Sequence, residues 1–155
     1  FEQWNKVGST KIELMYKPST QMTARPLRKI ASGGEVSRVM LACKVVLGES
    51  DDCDTLVFDE VDAGVGGATA VALAEVLAKL AKTHQVIVVT HLPQVAVMAS
   101  KHYVVSKTEE HNALPVTSLT EVSGTQREEE IARMLSGSIT EASLAHAHEL
   151  LTEAR

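Results

Sequence analysis

Thr55-Leu56-Val57-Phe58-Asp59-Glu60 is the stretch from which the fold can be read. It is a short, continuously apolar run closed by two carboxylates. A second run, Val86-Ile87-Val88-Val89, is closed by Thr90-His91. Apolar runs of this length between helical patterns predict buried parallel strands. Between them lie a glycine-rich turn, Gly64 to Gly67, and a helical pattern that places Ala70, Leu73, Ala74, Leu77 and Leu80 on one face. The expected unit is strand, helix, strand with a right-handed crossover.

Upstream, Ser32-Gly33-Gly34-Glu35 opens a helix. Ser32 suits the N-cap, and Glu35 completes a capping box. Val36, Val39, Met40, Cys43 and Leu47 follow at helical spacing, Gly48 is a plausible stop, and the acidic stretch Asp51 to Asp54 reads as a turn. Residues 10–17 alternate as a half-buried strand would, and residues 18–31, with two prolines and Arg25, Arg28 and Lys29, read as a loop. Downstream, residues 92–99 form a short helix entered through Pro93. Residues 102–107 and 114–121 form a hairpin about the turn Glu109 to Asn112. Residues 126–135 and 140–153 form two helices. Thr140 caps the second, where Ser143 stands in place of glutamate, so no full capping box is expected. The fold class is α/β, with a mostly parallel sheet flanked by helices and a hairpin near the C-terminal end.

Composition narrows the classes. The 155 residues amount to one domain's worth of chain, with 45% hydrophobic and 23% charged residues, which excludes disorder. Aromatics are 3%, so the core is aliphatic. A net charge of -5 excludes a globally basic nucleic-acid coat but leaves room for a local patch. Two cysteines make no disulfide framework and lack metal-site spacing, which points to a reducing cytosol. No apolar run reaches membrane-span length. Residue 1 is Phe rather than Met, so processing or a fragment of a longer protein is expected.

The chemistry sits at the strand ends. In an open parallel sheet, ligands lie beyond the carboxyl ends of the strands. Neighbouring parallel strands put Asp59, Glu60 and His91 on one edge. A carboxylate after four strand residues is a Walker B arrangement, with Asp59 holding Mg²⁺ directly or through water. Glu60 is placed to orient and polarise an attacking water, and His91 to donate to a transferring phosphate. Ser32 caps its helix or, with Gly33 and Gly34 keeping side chains away, lets free N–H groups and the helix dipole meet a phosphate. No glycine is followed by lysine, so the phosphate-cradling Walker A loop is absent and nucleotide cannot be held tightly by this chain alone.

In order, Ser32-Gly33-Gly34-Glu35, Thr55 to Glu60, Asp62 and His91 resemble the signature motif, Walker B, D-loop and switch histidine of an ABC-type ATPase head. Glu35, where transporters usually carry Gln, leans toward the SMC-like chromosome and repair ATPases. The stretches KIASGGEVSRVMLACKVVL, TLVFDEVDAGVGGATA, VIVVTHLPQVAVMASKHYVVSK and EEEIARMLSGSIT resemble the RecN family of bacterial DNA-repair proteins, from about Lys11 to the end. The resemblance implies the C-terminal lobe of an ATPase head, with the Walker A lobe and a long coiled coil absent from this chain. It implies Mg²⁺ at Asp59, catalysis at Glu60, and γ-phosphate sensing at His91. It also implies contact from Ser32, Gly33, Gly34 and Glu35 to ATP on a second protomer, and crossing of the dimer interface by Asp62 and its neighbours. The implied partners are the Walker A lobe, a second copy and, through the full-length protein, DNA. The implied location is the cytoplasm, at the nucleoid. This lobe alone is expected to be inactive. A non-catalytic dimerisation module and a half-head of another SMC or ABC ATPase are the alternatives.

Other groups have plainer expectations. Arg25, Arg28, Lys29 and Arg38 are as well explained by a solvated surface as by phosphate or DNA contact. His146 and His148, two apart on a helix, share no face and read as structural. Glu128 to Glu130 read as a solvated helix face, and Cys43 as core packing.

Overall fold

A computed structural model describes residues 8, 12–29, 32–47, 53–108 and 114–154. In chain order these form β1 (Met15–Tyr16), β2 (Arg25–Pro26), a 3-10 turn (Leu27–Lys29), α1 (Gly33–Leu47), β3 (Thr55–Phe58), α2 (Ala68–Leu80) and β4 (Gln85–Val88). They continue with α3 (Pro93–Ala96), β5 (His102–Thr108), β6 (Val116–Val122), α4 (Gly124–Ser136) and α5 (Glu141–Glu153).

The strand–helix–strand unit forms as the apolar runs predict. β3 and β4 pair in parallel, Leu56 opposite Val86 and Phe58 opposite Val88. All five residues assigned to the inner face of α2 are buried, and Leu73, Ala74, Leu77 and Leu80 join Leu56 and Phe58 in one core cluster. Gly67 starts α2 from a φ of 56°, a region open to glycine and costly to other residues. Among the described residues, β3 and β4 are the parallel pair, and β1–β2 and β5–β6 are antiparallel.

The strands differ from expectation in one respect. Continuous apolar runs predict burial on both faces, yet only one face is covered. Leu56 and Phe58 are buried, while Val57 is 66% exposed and Ile87 and Val89 are exposed as well. Among the described residues, α2 and Leu41 of α1 cluster with the face of Leu56 and Phe58. The α1 stripe is likewise half bare: Leu41 is buried, but Val36, Met40 and Leu47 are exposed. Cys43 is exposed rather than part of the core, because the covered arc of α1 runs through Gly34 and Leu41 instead.

At the N-terminal side, the strand expected over 10–17 is reduced to Met15–Tyr16, and its residues 10 and 11 lie outside the described residues. The loop over 18–31 contains β2 and the 3-10 turn, because Leu27 N–H donates to the Leu14 carbonyl and folds the segment back onto β1. Gly48, Asp51, Asp52 and the hairpin turn Glu109 to Asn112 lie outside the described residues.

The second half closes on itself. β5 and β6 form the expected hairpin, His102 opposite Val122. α4 and α5 pack with Ile131, Ala132 and Ala147 fully buried, joined by Ala96 and Val97 from the end of α3. Thr140 makes a full capping box after all. Its Oγ1 accepts from Ser143 N–H at 3.1 Å, and the Ser143 hydroxyl accepts from Thr140 N–H at 2.9 Å. A serine oxygen reaches back as well as a longer carboxylate does when the first turn is tight. This cap also buries Ser143.

Candidate functional site

The parallel register decides where the candidate groups lie. β3 ends at Phe58 and β4 at Val88, and Val89 N–H extends the ladder to the Phe58 carbonyl at 2.9 Å. Asp59-Glu60 and Thr90-His91 therefore leave the sheet on the same edge. Asp59, Glu60 and His91 are all exposed there. Val61, next in the chain, is fully buried and anchors the turn in the core.

The start of α1 is fastened to that edge. Ser37 Oγ donates to the Asp59 carbonyl at 2.8 Å. Arg38 Nη1 donates to the carbonyls of Val61 and Ala63 at 3.1 and 2.8 Å. Arg38 is therefore a clamp within the chain rather than a free surface cation. The sequence signal for it was there, since a basic residue beside an apolar stripe can reach a neighbouring turn, but only the fold shows which turn. Arg28 is also engaged, with Nη2 2.6 Å from Glu13.

Gly34 is needed by this packing, and Gly33 leaves room for the end of the Glu60 side chain. A Cβ on Gly33 would fall 2.5 Å from Glu60 Oε2, and one on Gly34 would fall 2.8 Å from Ala63 Cβ and 2.9 Å from the Glu60 carbonyl. The Glu60 carboxylate thus lies directly beside the N-terminus of α1. Glu60 holds a φ of 55°, in the left-handed region that non-glycine residues seldom occupy. Such strain persists where the surroundings over-determine it. Here the Asp59, Val61 and Ala63 carbonyls around it are all held from α1. The Ser32 carbonyl accepts from Val36 N–H at 3.2 Å, opening α1 where the sequence predicts.

Asp62 is buried between the two loops. Its Oδ2 accepts from the Thr90 hydroxyl and from His91 N–H, and His91 Nδ1 lies 3.3 Å away. The family resemblance implies an interface role for Asp62 and assigns none to Thr90, whose hydroxyl becomes its partner only through the fold.

Among the described residues, no group of three or more His, Cys, Asp or Glu is arranged to hold a metal ion. An exposed carboxylate at a strand end suits an ion shared with phosphate oxygens rather than one caged by this chain. No helix among the described residues is long and apolar enough to cross a membrane.

Away from this edge, charges pair locally. His146 faces Glu149 at 3.5 Å and His148 faces Glu128 at 3.0 Å, so the two histidines have separate partners as their spacing predicts. Glu130 is not on a solvated face. Its side chain is only 14% exposed and forks onto Arg133, whose hydrogen bonds hold the Glu130 carboxyl below its usual range. The half-buried His102 is lowered from its usual value by burial and by the Arg127 charge.

The sequence is 51% identical over 144 residues to the DNA repair protein RecN of Deinococcus radiodurans, covering 93% of this chain and 25% of that protein. It is 51% identical over 149 residues to RecN of Mycobacterium leprae, with 96% and 25% covered, and 47% identical to RecN of Streptomyces coelicolor, with 96% and 26% covered. This is a RecN-family sequence. It matches the C-terminal region of the DNA repair protein RecN and spans about a quarter of the length of those relatives. No family model matches the chain. Among solved structures, a chain from work on ATP-driven dimerisation and DNA-stimulated activation of SMC ATPases superposes with a TM-score of 0.52 at 20% identity. The superposition covers 83% of this chain and 75% of that one. The RecN region thus has the fold of part of an SMC-type ATPase.

Proposed function

We propose that this RecN region is the C-terminal lobe of an ATP-hydrolysing head that acts in DNA double-strand-break repair and recombination. The observation that carries the reading is the single edge shared by Asp59-Glu60 and Thr90-His91, with the start of α1 fastened against it. On this reading Asp59 takes part in holding Mg²⁺ with nucleotide. Magnesium, when bound, neutralises charge on the transferring phosphate. Glu60 orients and polarises the attacking water, and His91 contacts the γ-phosphate. Ser32, Gly33, Gly34 and Glu35 meet the nucleotide held in the Walker A site of a second protomer. Nucleotide binding therefore closes a homodimer, and hydrolysis opens it. The N-terminal Walker A lobe completes the site, so this lobe alone is inactive. DNA is engaged through the full-length protein in the cytoplasm, at the nucleoid.

The test is Glu60→Gln in the full-length protein. It is expected to bind ATP and accumulate as a dimer while hydrolysis stops. Hydrolysis at the wild-type rate would remove Glu60 from catalysis. A second reading, a docking module without catalysis, draws on the bare face at Val57, Ile87 and Val89. Mixing this lobe with the Walker A lobe separates the two: ATPase activity under DNA-stimulating conditions supports the first, and its absence the second.

A further inference from the structure

One group at this edge is buried although both its functional neighbours are exposed. Asp62 has 2% of its surface exposed, between exposed Glu60 and the loop of His91. A carboxylate withdrawn from water needs partners. Asp62 finds them on the loop after β4. The Thr90 hydroxyl donates to Oδ2 at 2.5 Å, the His91 N–H donates to the same oxygen at 3.2 Å, and His91 Nδ1 lies 3.3 Å from it. Thr90 is itself fixed, because its Oγ1 accepts from Leu92 N–H at 3.0 Å. Behind Asp62, Arg38 clamps the carbonyls on either side, those of Val61 and Ala63. The carboxylate therefore sits on a clamped turn and grips the loop of the neighbouring strand.

A carboxylate oxygen that already accepts two hydrogen bonds favours an N–H on a ring nitrogen that approaches it, over a bare lone pair. The His91 side chain is 72% exposed, so its ring has little other packing to orient it. We propose that Asp62 is a positioning residue: with Thr90 aligning its carboxylate, it sets the orientation of the His91 ring and holds it in the Nδ1–H form, turning Nε2 toward the ligand side. A ring held this way presents Nε2 to a phosphate contact in one fixed orientation. The catalytic consequence rests on the reading of His91 as a phosphate contact. The geometric claim does not.

The experiment uses the full-length protein. Asp62→Asn keeps an oxygen for Thr90 and His91 N–H but offers the ring an N–H. Nitrogen NMR of histidine-labelled protein, with the His91 signals assigned by their loss in His91→Ala, is expected to report the Nδ1–H form in wild type. In Asp62→Asn it is expected to report the Nε2–H form. With ATP, Asp62→Asn is expected to lower kcat about tenfold or more while KM stays within about twofold, and to add nothing in a His91→Ala background. Thr90→Val, which leaves the carboxylate in place, is expected to shift the same signals with a smaller loss of kcat. Unchanged His91 signals in both variants overturn the proposal, as does an additive loss in the double variant. If Asp62→Asn fails to fold, Thr90→Val alone decides, and unchanged signals overturn it. If His91→Ala hydrolyses ATP normally while Asp62→Asn still switches the ring, the positioning stands and the role assigned to His91 falls.

Discussion

The strand–helix–strand half of this chain and its helical C-terminal half are built from the same aliphatic residues and end up differently covered. In the first, α2 buries Leu56 and Phe58 on one face of β3 and leaves Val57 bare on the other, while α1 buries little beyond Gly34 and Leu41. In the second, α4 and α5 seal Ile131, Ala132 and Ala147 between them, a reciprocal cap closes the start of α5, and His148 ties it back to Glu128. A helix stripe needs one partner, and the chain supplies it. A two-faced strand pair needs two layers, and among the described residues there is one. In the half with the candidate edge, Val57, Ile87 and Val89 are bare on the strands themselves, whereas in the other half the bare apolar residues, such as Val105, Val116 and Leu119, lie on the hairpin and outside the sealed helix pair.

Four measurements can break or sharpen this contrast. The largest effect is expected at Ile131, which is fully buried. Ile131→Ala should cost about 3 kcal/mol in chemical denaturation, since a closed helix pair collapses poorly around the lost methyl groups. Gly34→Ala comes next, at about 2 kcal/mol, because the new Cβ meets backbone and a short side chain that have little room to yield. A silent Gly34→Ala would show that α1 is not fastened to the Glu60 turn.

The third is a pH effect. His102 has its pKa lowered by burial and by Arg127, with Glu130 acting in the opposite direction. The unfolded chain then binds a proton that the folded chain does not, between the lowered value and the ordinary 6.5. Stability should therefore fall as pH drops through that window, and His102→Gln should flatten this part of the stability–pH curve. An unchanged slope would mean that the hairpin does not bury this ring. The smallest effect is expected at Val57. Val57→Thr should stay within about 0.5 kcal/mol in this region alone, as an exposed site does. A larger cost in the full-length protein would identify the bare face as one covered by the rest of the chain.

Much of the fold can be read from residue patterns. The two apolar runs, the α2 face and the hairpin all fall where periodicity puts them, because each is a local repeat imposed by one covered side. The candidate edge was legible for a related reason: parallel neighbours must end on the same side, so Asp59, Glu60 and His91 share it. What could not be read was coverage and fastening. Cys43 and Cβ-bearing neighbours on the α1 stripe look like core in one dimension, yet which arc is buried depends on the angle at which α1 meets β3. Ser143 as a capping partner depended on the tightness of one turn.

The sequence by itself determined the element types, the strand-end placement of the acidic pair and the histidine, and the kinship to RecN, since these follow from local periodicity and from long shared motifs. Only the tertiary structure decided that Gly33 and Gly34 lie against Glu60, that Arg38 clamps the turn, and that Asp62 turns inward to Thr90 and His91. Those contacts join residues more than twenty positions apart, and a buried carboxylate finds its partners only after the strands have set the loops side by side.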